Sequence, residues 1–385
     1  MSDFKVVLAV DSFKGSASSM EIETSIEKGI RKVDKRTMIH KYPIADGGEG
    51  TVEALLTALE GEYKEVEVTG PYQEKTVAKY GIVNERLAVI EMAEASGLHL
   101  VKKGKKRPLQ ATTYGTGELI RAALEEGVEE IYIGLGGSAT NDGGVGMAQA
   151  LGVRFLDESG EDIGLGADML QHLHTIDMAE LDERVRHTSI RVLSDVSNPL
   201  LGENGASAVF GPQKGAGEEE VELLEACLRR LAEKTQAQLQ NDWAEMAGAG
   251  AAGGLAFGLM AFCGAEMRRG IEEVLDLINI DEVMKTADLV ITGEGKMDRQ
   301  SIQGKAPFGV AKRAKRYGLP VIAVVGSADT ELTPVYNNGI DLVIDLINQP
   351  MTLEKAMEQT QSLAVHAGET AFRAFLLGRN KRDKS

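Results

Sequence analysis

The sequence predicts an α/β protein: a doubly wound parallel sheet built from the N- and C-terminal thirds of the chain, with a larger mixed α/β domain inserted between them. Three observations carry this. Beta-loop-alpha units repeat at both ends, glycine-rich loops sit at strand exits, and the 385-residue length exceeds what one hydrophobic core serves. Residues 1–62 and 283–385 are assigned to the first domain and 63–282 to the insertion.

The elements follow in order. Lys5–Val10 is an apolar strand, and the loop "DSFKGSAS" leads to a helix with Ile22, Ile26 and Ile30 on one face. Ser18 and Glu21 have the spacing of a capping box. A second strand, 38–44, runs into "ADGGEGT" and a helix bearing Val52, Leu55, Leu56 and Leu59. Residues 63–92 are short, alternating and separated by turn residues, as in an antiparallel meander. A helix near 117–126 precedes the strand "IYIGL" and the loop "GGSATNDGG", a strand at 190–193 opens into "SDVSNPLLG", and a long helix spans 218–240. Strands at 289–291, 321–325 and 342–344, separated by helices, return to the first pattern. Pro307 suits a first helical turn and Gly318 a helix stop.

Composition narrows the function classes. Apolar residues are 43% and charged residues 26%, ordinary for a folded chain. A net charge of −17 argues against nucleic acid or an anionic membrane as partner. Cys227 and Cys263 exclude a disulfide framework, and the five-residue apolar run 6–10 is too short for a signal peptide, so a cytoplasmic location is expected. The uncharged stretch 248–265 carries six glycines and reads as a packed helix with its entry loop rather than a membrane span.

Glycine stands out, at 44 of 385 residues or about 11% against a usual value of about 7%. It clusters in "DSFKGS", "ADGGEGT", "GGSATNDGG", "GPQKG" and "TGEGKMDRQS", at the strand ends where open parallel sheets bind ligands. Glycine lets backbone N–H groups approach an anion, and a helix N-terminus favours negative charge. Lys14, Lys214, Lys296 and Lys305 lie in or beside these loops, and Asp46, Asp142, Asp195, Glu294 and Asp298 occupy equivalent places. Cations for phosphates and carboxylates for magnesium are what a magnesium-nucleotide site needs. The Walker pattern is absent. The "GLGGSA" of 134–139, with Asp157 further on, matches a dinucleotide fingerprint and keeps an NAD-dependent dehydrogenase of a small hydroxy acid as a rival, although "TNDGG" interrupts the helix such a motif requires. A non-catalytic sensor of a hydroxy acid is a third class. His172 and His174 lack neighbours to complete a metal set.

In order and across nearly the whole chain, "DSFKGS", "ADGGEGT", "GGSATNDGG", "SDVSNPLLG", "FGPQKGA", "GAAGGLAFGL" and "TGEGKMDRQSIQGKAP" resemble the bacterial glycerate kinase family. The resemblance implies ATP-dependent phosphorylation of D-glycerate. It also implies a Rossmann-like domain and a second α/β domain with the active site in the cleft between them, and 2-phosphoglycerate as product in preference to 3-phosphoglycerate. Lys14 and Lys305 are expected on phosphates or the glycerate carboxylate, with Lys214, Asn198 and the backbone of Gly47, Gly48, Gly136, Gly137 and Ser138 assisting. Asp195 and Asp298 are the candidates to orient or accept the proton of the attacking hydroxyl. Asp195 equally suits a turn before Asn198 and Pro199, and Asp298 a helix cap. Mg2+ is assigned to Glu294 or Asp46. The oligomeric state is not legible.

Overall fold

The computed structural model describes residues 4–102, 104–298 and 305–382. They divide into two compact units: the described residues of Met1–Asp46, Glu53–Leu59 and Ile271–Ser385, and those of Gly47–Val52 and Glu60–Gly270.

The first unit is organised by a five-stranded parallel sheet in the order Leu342–Asp345, Val321–Ala328, Leu289–Met297, Lys5–Val10, Met38–Lys41. Val6–Val10 is wholly inaccessible to solvent, as a continuous apolar strand covered on both faces should be. It pairs with the strand from Leu289 in a register that sets Val6 opposite Leu289 and Val10 opposite Gly293. The helix Ser19–Val33 begins at the capping box of Ser18 and Glu21 and buries Ile22, Ile26 and Ile30. These pack with Ala364, Ala367, Ala371 and Phe372 of the helix Thr360–Arg382. The two helices cross so closely that a Cβ on Gly29 would lie 2.1 Å from the Val365 carbonyl oxygen. In sheet order the chain runs one way from Lys5–Val10 to Met38–Lys41 and the other way through the three C-terminal strands. Right-handed crossovers therefore place the intervening helices on opposite faces.

The second unit holds a six-stranded mixed sheet: Glu266–Arg268, Ser189–Leu193, Glu130–Gly134, Leu87–Glu91, Lys75–Val83, Glu62–Thr69. Its first four strands are parallel and its last three antiparallel, the meander that the alternation of 63–92 predicts. A short antiparallel pair, Arg154–Leu156 with Thr175–Asp177, lies apart from it. Ala251–Cys263 is almost entirely buried, and no helix among the described residues is long and apolar enough to cross a membrane. Its entry is left-handed at Ala252, Gly253 and Gly254, and a Cβ on Gly253 would fall 2.0 Å from the Thr140 carbonyl oxygen.

Candidate active site

In the first unit the direction of winding reverses between Lys5–Val10 and Leu289–Met297, so the loops after these strands diverge and leave a crevice at their carboxyl ends. A cavity of about 540 Å³ opens there, its polar part lined by Asp11, Ser12, Lys14, Asp46, Glu294 and Lys305. Asp11 follows the last buried residue of its strand. Its N–H donates to the Gly293 carbonyl at 2.9 Å, and its carboxylate accepts the Ser12 N–H at 2.6 Å. Burial, then the negative charge of Asp46, pushes the Asp11 carboxyl up to about 7; Glu294 adds to this, while the Ser12 N–H and Lys14 oppose it. Ser12 Oγ is buried with no hydrogen-bond partner among the described residues.

Glu294, 5% exposed, accepts from Lys305 Nζ at 3.1 Å. Lys305 is the N-cap residue of Ala306–Lys315, with Pro307 in the first turn, so the positive end of a ten-residue helix adds to the ammonium. Lys14 is exposed in its loop. Lys296 also lines the cavity and pairs with Asp298 at 3.6 Å. The stretch 299–304 of the same motif lies outside the described residues. Lys14, Asp46, Glu294 and Lys305 are thus brought to one cavity. Asp11 was missed in the sequence, although it is the first residue past a fully apolar strand, at the end where parallel sheets bind ligands.

The second unit holds the other expected residues. Gly47, Gly48 and Gly136 meet backbone to backbone: a Cβ on Gly136 would lie 2.6 Å from Gly48 Cα, and one on Gly47 would lie 2.6 Å from the Leu193 carbonyl oxygen. Ser138 bridges to Gly97, and the Gly137 carbonyl accepts the Leu98 N–H at 2.7 Å. Asp195 is half-buried just past Ser189–Leu193. Asn198 ties its own loop, donating Nδ2 to the Asn204 carbonyl at 2.8 Å and accepting the Gly250 N–H at 3.0 Å.

Lys214, read from the sequence as a phosphate contact, faces the interior in this structure. It is 2% exposed, donates Nζ to the Thr140 carbonyl at 2.6 Å, and is pulled down to about 7 by burial against the opposing effect of Asp142. Asp142 is likewise internal. Its carboxylate accepts the N–H groups of Thr113, Gly144 and Gly146 and the Thr113 hydroxyl, which pins the "TNDGG" loop.

The dinucleotide reading finds no support in this geometry. The helix after Glu130–Gly134 begins only at Val145, after a left-handed Gly144, whereas a pyrophosphate needs a helix N-terminus at the glycines. Asp157 folds onto its own turn, accepting from the N–H groups of Ser159 and Glu161. His172 and His174 join no group of three potential metal ligands among the described residues.

Sheet order, crevice and charged lining define an α/β protein with a charged cavity at the switch point of a parallel sheet. A family model described as the glycerate kinase family matches residues 6–376, and the chain belongs to that family. It is 49% identical to a glycerate kinase of Halalkalibacterium halodurans over 94% of this chain and 96% of that protein. It is 48% identical to the glycerate 2-kinase of Escherichia coli K12 over 91% and 93%. A crystal structure from Salmonella typhimurium LT2 assigned as glycerate kinase 2 superposes with a TM-score of 0.88 at 47% identity, covering 98% of this chain and all of that one.

Proposed function

We propose that the protein transfers the γ-phosphoryl group of ATP to D-glycerate and forms 2-phosphoglycerate, as the name of its Escherichia coli relative suggests. The observation that carries the reading is the cavity where three carboxylates, Asp11, Asp46 and Glu294, stand beside the ammonium groups of Lys14 and Lys305. Phosphoryl transfer asks chiefly for positioning and charge stabilisation, and this set supplies both in a molecule whose net charge of −17 would otherwise repel the substrates.

Lys14 and Lys305 hold phosphate oxygens in this scheme. Among the described residues no three His, Cys, Asp or Glu side chains come together as a metal cage, so Mg2+ would be held in the way it commonly is, by one or two carboxylates with water and phosphate completing its shell. Asp46 and Glu294 would hold the ion, each supplying a carboxylate oxygen. When bound, the ion neutralises charge on the phosphates. Asp11, poised at about 7, suits the acceptance of a hydroxyl proton near neutrality. Asp195 and Asp298 are the alternative bases, and the backbone of Gly47, Gly48, Gly136, Gly137 and Ser138 with Asn198 are proposed substrate contacts. Both cysteines are free and buried, which fits a cytoplasmic enzyme.

Phosphorus NMR of a reaction with ATP, Mg2+ and D-glycerate tests the proposal. ADP and 2-phosphoglycerate are expected. Formation of 3-phosphoglycerate would move the acceptor hydroxyl, and no glycerate-dependent ADP would end the reading.

A further inference from the structure

We infer that the apolar wall of the same cavity, built by Leu346, Ile347, Leu353 and Met357, seats the base of the nucleotide donor, while the charged end takes its phosphates. This rests on ATP as donor. Leu346 follows the edge strand Leu342–Asp345 and is fixed by its N–H on the Val325 carbonyl at 2.8 Å. Leu353 and Met357 stand one turn apart on the helix Leu353–Glu358, whose first turn is capped by Thr352. The Thr360 hydroxyl, on the carbonyls of Ala356 and Met357, fixes the other end of that helix. The wall is therefore a built surface.

It is also uncovered. Leu353 is 73% exposed, Ile347 39% and Met357 36%, and all three line this one cavity. Large apolar side chains gathered at the mouth of a charged cavity mark a surface that a ligand covers. D-Glycerate, a three-carbon hydroxy acid, has no apolar face to offer them. A nucleoside triphosphate does, since it carries a flat heterocycle at one end and an anionic chain at the other.

Two features fix its direction. Between the charged and apolar ends lie Gly295 and Gly326, packed so tightly that a Cβ on Gly326 would fall 2.3 Å from the Gly295 carbonyl oxygen. This leaves a flat backbone floor over which a ribose can pass. A second cavity of about 440 Å³ shares Ser16, Leu353 and Met357 with the first and adds Gly15, Glu354 and Glu358 to its lining. Carboxylates there repel a phosphate and accept hydrogen bonds from an amine or hydroxyl, so the base and not the triphosphate belongs at this end.

The test is titration calorimetry of wild type and a Leu353→Ser, Met357→Ser double variant with Mg-ATP and with magnesium tripolyphosphate, a probe that lacks base and ribose. Wild type should bind Mg-ATP at least about tenfold more tightly than the probe, and the double variant should lose that margin by weakening toward ATP alone. The variant's KM for ATP should rise about tenfold while its KM for D-glycerate stays within about twofold. A control, Val77→Ser, removes an apolar side chain of the second unit whose 60% exposure lies between those of Leu353 and Met357, and should change neither. A double variant that keeps the margin, or a wild type that binds ATP no better than tripolyphosphate, overturns the inference. A wild type that binds neither removes the donor reading itself and this assignment with it.

Discussion

Replacing Asp11 by Asn should make the protein more stable near neutral pH and far less active. Asp11 is held at about 7 in the folded protein against an ordinary 3.8, chiefly because its carboxyl is buried. A raised acid contributes no penalty below pH 3.8, where both folded and unfolded chains are protonated. Between 3.8 and about 7 the unfolded chain ionises first, so wild-type stability falls as pH rises, and above about 7 the whole penalty is present. That interval, at about 1.36 kcal/mol per pH unit, amounts to roughly 4 kcal/mol. Asparagine keeps an oxygen for the Ser12 N–H and never ionises. The difference in unfolding free energy between variant and wild type should be near zero at pH 4 and grow to about 3–4 kcal/mol in favour of the variant at pH 8. Urea unfolding across that range, followed by circular dichroism without ligands or Mg2+, measures it. A difference that does not change with pH, or a variant less stable than wild type at pH 8, would refute the burial argument. In the same variant kcat should fall by about two powers of ten or more if the carboxylate takes the proton.

Lys305→Ala removes the ammonium from Glu294 and, under the proposed function, from the phosphates, so kcat/KM should fall at least about a hundredfold, with Lys305→Arg restoring part of it; steady-state ADP release measures both. Asp195→Asn and Asp298→Asn should each leave the circular dichroism spectrum intact and, with Asp11 as the base, keep most of the turnover; a fall in kcat of about two powers of ten in either, with Asp11→Asn still active, would move the role to that residue. Arg313→Met strips a 4% exposed guanidinium from Glu272, Asp276 and Asp281, at 3.0, 2.6 and 2.6 Å. It should cost roughly 3 kcal/mol in urea unfolding, less if the partly exposed acids turn to water.

Much of the architecture is local chemistry and was legible as such. The capping box at Ser18 and the fourfold spacing of Ile22, Ile26 and Ile30 specify their helix whatever surrounds it, and the alternation of 63–92 specifies an antiparallel meander. The glycine-rich loops with their charges, and through them the family, could be read in the same way, because turn chemistry depends on neighbours in sequence. What a loop charge does could not. Lys214 and Asp142 sit in segments that look like ligand loops, yet both are buried, and Lys214 meets Thr140, 74 residues away in the chain. Asp11 was passed over in the sequence, and only the fold buries it where the charges of Asp46 and Glu294 act on it. The apolar wall at 346–357 reaches the cavity only because its strand closes the far edge of the sheet. Burial, proton affinity and shared cavities are set by groups distant in sequence, and only the folded chain decides which of them meet.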